Sequence, residues 1–266
     1  NANASLAVVA TAVQQAVLAK CEEINASSWH VLFPQDDLRD QLKSQRLLLR
    51  TGCQYQWFNN GYADFEAFLA TFASRKRKNL RKERSAVQEA GITLQTLEGP
   101  DVSAAQWEQF YEFYASTYFV RGRRPYLNTG FFLQLGRSMP EQLMLVLALR
   151  GDKPVAGALF FKGRDTLYGR YWGCAEEVPF LHFEACYYQG IDYCIRHGLQ
   201  RMDSGAQGEH KIQRGFAPVP TWSAHWIGHA DFRKAIAEYV KEEEAHIGNY
   251  MQQAADYLPF RKDLKL

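Results

Sequence analysis

The sequence contains no C-x-x-C pair; its five cysteines, Cys21, Cys53, Cys174, Cys186 and Cys194, are odd in number and scattered. That argues against a disulfide framework or a structural zinc site, and a reducing cytoplasm is the expected setting. No apolar run approaches the ~20 residues needed to cross a bilayer, so no integral membrane segment is expected and any membrane link must be peripheral. The start NANASLAVVATAV lacks the basic flank and long apolar stretch of a signal peptide. A G-x-S-x-G nucleophile elbow is absent, and His210, His225 and His229 follow no recognised metal-ligand spacing, so no metal site is expected. No charge sign dominates: 31 Lys and Arg against 29 Asp and Glu leave a net +2, and only local clustering can inform on partners.

What is present suits a packed globular chain, since 47% of the 266 residues are hydrophobic. Residues 4–24 read as a helix, 27–33 as a strand, QDDLRDQLKS as a short helix and 46–59 as one or two strands bending at Gly52. Residues 62–90 read as helical, with Gly91 at the stop position, followed by the strand ITLQTLE and helices over 104–119 and TGFFLQLGRSM. QLMLVLALR, PVAGALFFKG and DTLYGRYWG form an antiparallel meander, with turns at Gly151-Asp152 and Gly163-Arg164. A helix over 181–198, strands LQRMDSG and TWSAHWIG, and an amphipathic helix over 231–253 complete the chain. The element order of residues 4–59 repeats the back half of the following α/β domain. The expected division is a partial unit over 1–60, an α/β domain over 61–230 and a helical extension over 231–266.

Three clusters carry candidate chemistry. RKRKNLRKER (75–84) has seven basic residues in ten. Leu80 and Val87 form its buried stripe, while Arg77, Arg81 and Arg84 recur at helical spacing on one face, where they could grip successive phosphates. A solvated charged face is the plain alternative. FLHFEACYYQG (180–190) offers His182, Glu184, Tyr187 and Tyr188 near Arg170 and Trp172, a mixture of cation, aromatics and carboxylate suited to a small-molecule pocket. Glu184 is equally readable as a favourable first-turn charge. In GAQGEHKIQRGF (205–216), four ionisable groups occupy six positions between glycines. Glu209 or His210 is the candidate base for an attacking amine, and Lys211 and Arg214 the candidate contacts for phosphate, carboxylate or oxyanion. An ion pair from Glu209 to Lys211 or Arg214 would instead only shape the loop.

SRKRKNLRKERSAVQEAGI, RYWGC, LHFEACYYQGIDYCIRHGL and GAQGEHKIQRGF with SAHWI resemble the FemAB-like, peptidoglycan biosynthesis or recognition branch of the N-acyltransferases, over residues 28 to 240. The resemblance implies a GNAT-like α/β fold, a mixed, mainly antiparallel sheet flanked by helices, with part of a second such unit at the N-terminus. It further implies transfer of an acyl or aminoacyl group to an amine acceptor such as a lipid-linked cell-wall precursor. The donor, a charged tRNA or an acyl-CoA, would be a co-substrate, and no resident cofactor is expected. Family members usually carry more sequence before this point. Acetyl-CoA-dependent relatives place a glycine-rich pyrophosphate loop after the meander; this chain has CAEEVPFLHFE there, which favours a charged tRNA as donor. The competing expectations are a non-catalytic module binding cell-wall precursor or RNA, and an acetyltransferase with an atypical CoA loop.

Overall fold

The computed structural model describes residues 5–45 and 47–262. In chain order it runs α1 (Leu6–Glu23), β1 (Ser28–Leu32), α2 (Asp36–Ser44), β2 (Leu48–Phe58), α3 (Phe65–Ala70), α4 (Ser74–Glu89), β3 (Ile92–Glu98), α5 (Ala104–Phe119) and α6 (Thr129–Ser138). The meander β4 (Leu143–Arg150), β5 (Lys153–Lys162) and β6 (Thr166–Cys174) follows. Then come α7 (Leu181–Phe183), a π-turn (Glu184–Tyr188), α8 (Gln189–His197), β7 (Arg201–Asp203), a 3₁₀ turn (Glu209–Arg214), β8 (Ala217–Ile227) and α9 (Ala230–Asp256). By contacts the chain forms two compact units: Asn1–Gln54 with Pro218–Asp256, and Tyr55–Ala217 with Tyr257–Leu266.

In the first unit the strand order is β1-β8-β2, with Trp29 opposite Trp226 and Val31 opposite Ala224 in antiparallel register. Leu42, Leu47 and Ala224 are buried together beneath Trp29, Leu38 and Leu49. Arg50 holds Glu243 of α9 through two hydrogen bonds of 2.6 and 2.7 Å.

The second unit orders its strands β2-β7-β6-β5-β4-β3. All neighbours are antiparallel except β6 and β7. The run LMLVLA of β4 is buried on both faces, as expected of a strand covered by helices on each side. Leu143, Leu145 and Leu147 meet Phe110, Phe113 and Phe132 of α5 and α6. Ala148 meets Val87 of α4 and Leu181 of α7 on the other face. Both α5 and α6 start on side-chain caps: Ser103 and Gln106 form a reciprocal capping box, and Asn128 accepts from the Phe131 N–H at 2.9 Å. α5 lies directly on β6 because residue 173 is glycine; a Cβ there would overlap the Phe113 carbonyl.

Leu80 and Val87 are the buried pair of α4, as their spacing predicts. The single helix expected over 62–90 is instead two helices. Between them the backbone pairs elsewhere: Phe72 bridges Phe260, the Ala73 N–H donates to the Pro259 carbonyl at 2.9 Å, and the Arg261 N–H to the Thr71 carbonyl at 2.9 Å. Nothing in local propensity announces a partner that distant. The bend considered at Gly52 is absent, and β2 is continuous over eleven residues.

Candidate active site

β6 and β7 run parallel for three residue pairs, ending at Tyr168 opposite Asp203. β7 stops there, while β6 continues to Cys174 beside β5 only. The parting leaves a cavity of about 120 Å³. Gly169, Arg170, Tyr171 and Trp172 wall it from β6, Ser204 from the end of β7, and His182, Cys186 and Tyr187 from the helix above. The carboxyl ends of parallel strands where the sheet opens are where open α/β sheets place ligands.

The helix reaches the cavity through its π-turn. Widening one turn changes the phase of the side chains beyond it. Cys186 and Tyr187 line the cavity, whereas Glu184 and Tyr188 meet the charged side chains of α4. α8 then ends at Gly198, whose φ of 67° suits glycine at a helix stop.

Those charged side chains form a closed network. Arg84 donates to both Glu184 oxygens at 3.1 and 2.9 Å and to Asp192 at 2.9 Å, with its guanidinium 4.3 Å from the Phe65 ring centre. Gln189 adds a bond to Glu184 at 2.8 Å. Next to it, Glu83 accepts from Arg214 at 2.8 Å on both oxygens and from the Tyr188 hydroxyl. Arg214 lies 3.4 Å over the Phe183 ring and donates to the His210 carbonyl at 2.8 Å. Burial opposes the charge on Arg84, yet Glu184 and Asp192 outweigh it and raise its pKa; burial raises that of Asp192 against the pull of Arg84.

The expected face of three arginines on α4 is therefore divided. Arg81 pairs with Glu66, Arg84 turns inward, and only Arg77 of the three enters no ion pair among the described residues. Of the residues expected around an acceptor, Arg170 and Trp172 line the cavity; Glu184 is buried in the network instead.

The loop 205–216 divides as well. Lys211 is buried, and its ammonium donates to the Ser204 carbonyl at 2.5 Å and the Gly205 carbonyl at 3.2 Å, which fixes the chain as it leaves β7. Burial pushes its pKa down to about 8. Arg214 belongs to the Glu83 pair. Glu209 is exposed at the start of the 3₁₀ turn. His210 faces Tyr187, whose hydroxyl lies 2.9 Å from its Nε2. Burial raises the Tyr187 pKa, and burial with the charges of Arg214 and Lys211 lowers that of His210. With its proton on Nδ1, the His210 imidazole accepts from the phenol through Nε2.

His182 completes the wall. Its ring stands edge-on to Trp172 and to Tyr187, with centroids 5.4 Å away in each case. Burial first, then the proximity of the ionisable His210 and of the cations Lys211 and Arg214, drives its pKa to about 4, so it is neutral at pH 7. The sequence offers His182 and Tyr187 as pocket side chains without giving either a chemical step, and it gives Glu83 and Asp192 of the network no role. Glu83 carried a signal as the one acid in a basic run, and Asp192 as an acid two helical turns beyond Glu184. Among the described residues no group of three or more His, Cys, Asp or Glu side chains could hold a metal ion, and no helix is long and apolar enough to cross a membrane.

The fold is shared with solved structures at low sequence identity. A conserved protein of unknown function from Bacteroides thetaiotaomicron superposes with a TM-score of 0.57 at 12% identity, over 84% of this chain and 76% of that one. FemX gives 0.55 at 13% identity, over 84% and 79%. L-PGS from Bacillus licheniformis gives 0.55 at 10% identity, over 87% and 73%. The expected α/β architecture, a mixed, mainly antiparallel sheet between helices, is present and is shared with FemX. None of the curated proteins matches this chain. The FemAB-like profile, described as peptidoglycan biosynthesis/recognition, matches residues 2–262, and with nearly the whole sequence inside that match the chain belongs to the FemAB-like family.

Proposed function

We propose that the protein is an N-acyltransferase in which an acceptor amine attacks an activated acyl or aminoacyl ester where β6 and β7 part. The observation that carries this reading is the Tyr187 hydroxyl, on the cavity wall and 2.9 Å from the His210 Nε2. The amine nitrogen bonds to the carbonyl carbon and the ester C–O bond breaks. The N–H proton passes to Tyr187 as the phenol proton moves to His210, and it returns to the departing oxygen by the same route. His182, which is neutral, accepts an N–H from the amine without repelling a cationic acceptor. Negative charge growing on the carbonyl oxygen is met by backbone N–H groups on the edge of β6 beyond Tyr168, which no strand covers among the described residues. Arg170 and Trp172 shape the acceptor end.

Charged tRNA is the favoured donor, a co-substrate and not a resident cofactor, and the exposed basic residues of α4 are its phosphate contacts. The loop after β6 supports this: CAEEVPF offers no glycine, and Phe180 with φ 64° precedes a helix that is α-helical for only three residues before the π-turn. That is a poor cradle for the pyrophosphate of CoA. The acceptor is an amine of a cell-wall precursor.

The test is a donor screen with charged tRNA, acetyl-CoA and longer acyl-CoAs, each with an amine acceptor. Turnover is expected with charged tRNA, falling ~100-fold in Tyr187→Phe, the usual scale for loss of a proton-transfer group. Glu209→Gln, exposed and outside the cavity wall, retains turnover. Full activity in Tyr187→Phe removes the relay, and binding of precursor without turnover by any donor would make the protein a recognition module.

A further inference from the structure

The connection between α5 and α6 presents adjacent hydrophobic and basic side chains to solvent. α5 ends at Phe119, and residues 119–124, FVRGRR, are all exposed. Val120, at 86%, is the most exposed of the large hydrophobic side chains, and Phe119 is 60% exposed. Gly122, with φ 66°, turns the chain back, so that the Arg123 N–H reaches the Tyr118 carbonyl at 3.0 Å. The turn is ordered by its own backbone, and its apolar side chains are not held out by strain.

The charge along this connection has one sign. Residues 119–128 contain Arg121, Arg123 and Arg124 and no Asp or Glu. Arg121 donates to the Thr117 carbonyl at 2.5 Å, which places it at the end of α5 with its charge uncompensated by any carboxylate among the described residues. Tyr126, 64% exposed, stands edge-on to Tyr118 with ring centroids 5.7 Å apart and lies within the field of Arg170. Single exposed hydrophobic residues are ordinary. Two adjacent ones at the crest of a turn, beside three arginines and an exposed tyrosine in the same connection, form the pattern of a shallow anchor. Aliphatic and aromatic groups enter the headgroup–acyl boundary, tyrosine stays at the interface, and arginines meet anionic headgroups.

We infer that the α5–α6 connection is a membrane-docking surface for bilayers bearing anionic lipid headgroups. An RNA phosphate backbone would also attract the arginines, but it offers nothing to Val120, the most exposed of the large hydrophobic side chains. The docked area is small, so binding is reversible and salt-sensitive. Tyr126 shares an aromatic cluster with Tyr114 and Tyr171, and Tyr171 lines the cavity, so docking would bring the cavity close to the membrane surface. The inference stands on the patch and does not need the acyltransferase reading.

Sedimentation of the whole chain with vesicles tests it. Vesicles of phosphatidylcholine mixed with phosphatidylglycerol are expected to carry the protein down at low salt, and vesicles of phosphatidylcholine alone to leave it in solution. The triple change Arg121→Gln, Arg123→Gln and Arg124→Gln lowers partitioning on the order of 100-fold at low salt. The pair Phe119→Ser and Val120→Ser lowers it roughly 10-fold or more at any salt. All five side chains are exposed, and unchanged melting temperatures are the control for folding. No sedimentation, equal sedimentation with both vesicles, or full binding by the Phe119/Val120 variant overturns the inference. So does a preference for uncharged tRNA over vesicles in direct competition.

Discussion

The two faces of the π-turn Glu184–Tyr188 hold polar side chains in opposite conditions. On the α4 side every carboxylate has a cation: Glu184 and Asp192 share Arg84, and Glu83 holds Arg214. On the cavity side the groups that the turn and its neighbouring loop present are held uncharged, with His182 neutral, Tyr187 protonated and the pKa of His210 lowered. Burial acts on both. It is compensated by opposite charge in the first case and by a change of protonation in the second. The Arg214 Nε is buried without a partner, but charges already paired within the protein do not offer themselves to a substrate. Neutral groups with open valences beside a cavity do. The charge density of residues 205–216 is thus a poor guide to chemistry, because Lys211 and Arg214 direct their charge onto the protein itself.

The largest effect should come from breaking the charged side. Glu184→Ala leaves Arg84 part-buried with Asp192 alone, and stability is expected to drop by about 3–5 kcal/mol, read from chemical denaturation. Glu184→Gln keeps the Gln189 contact and loses less. If Glu184→Ala melts like the wild type, the network is not what holds the turn.

Next in size is the cavity side, read through pH. His182 has its pKa lowered from 6.5 to about 4, so between those values the unfolded chain binds a proton that the folded one refuses. Stability therefore falls as pH drops through this window, by on the order of 3 kcal/mol from this group. The difference between wild type and His182→Gln, measured by denaturation from pH 7 to 4, isolates it. A wild-type curve parallel to the variant's would show that the imidazole is not held neutral.

The smallest effect sharpens the contrast at the surface of α4. Arg81 and Glu66 are both exposed, so Arg81→Gln is expected to leave the melting temperature unchanged despite a well-formed ion pair. A measurable loss would mean that the outer face of α4 supports the fold no less than the inner one.

The sequence made legible whatever depends on local periodicity. The meander with its Gly151 and Gly163 turns, the Leu80 and Val87 stripe, the stop at Gly198 and the pocket residues Arg170 and Trp172 could all be named from spacing. It did not disclose pairings across long separations. Glu83 meets Arg214 across 131 positions and Arg84 meets Glu184 across 100, and no pattern on α4 distinguishes the inward Arg84 from the outward Arg81. The π-turn was hidden for a related reason. FEACYYQ is an ordinary helical segment by propensity, and its extra width depends on what Arg84 and the cavity demand on either side.

The π-turn also makes the arrangement a matter of counting. A regular α-helix advances about 100° per residue. Deleting one residue, such as Ala185, would restore that regular phase and rotate everything after it by about the same angle. Glu184 and Asp192, which now converge on a single guanidinium, would point apart, and Tyr187 would leave His210. No contact need weaken for this to happen. The site therefore has a reading frame, and a change of length at the turn would cost it more than most changes of side chain.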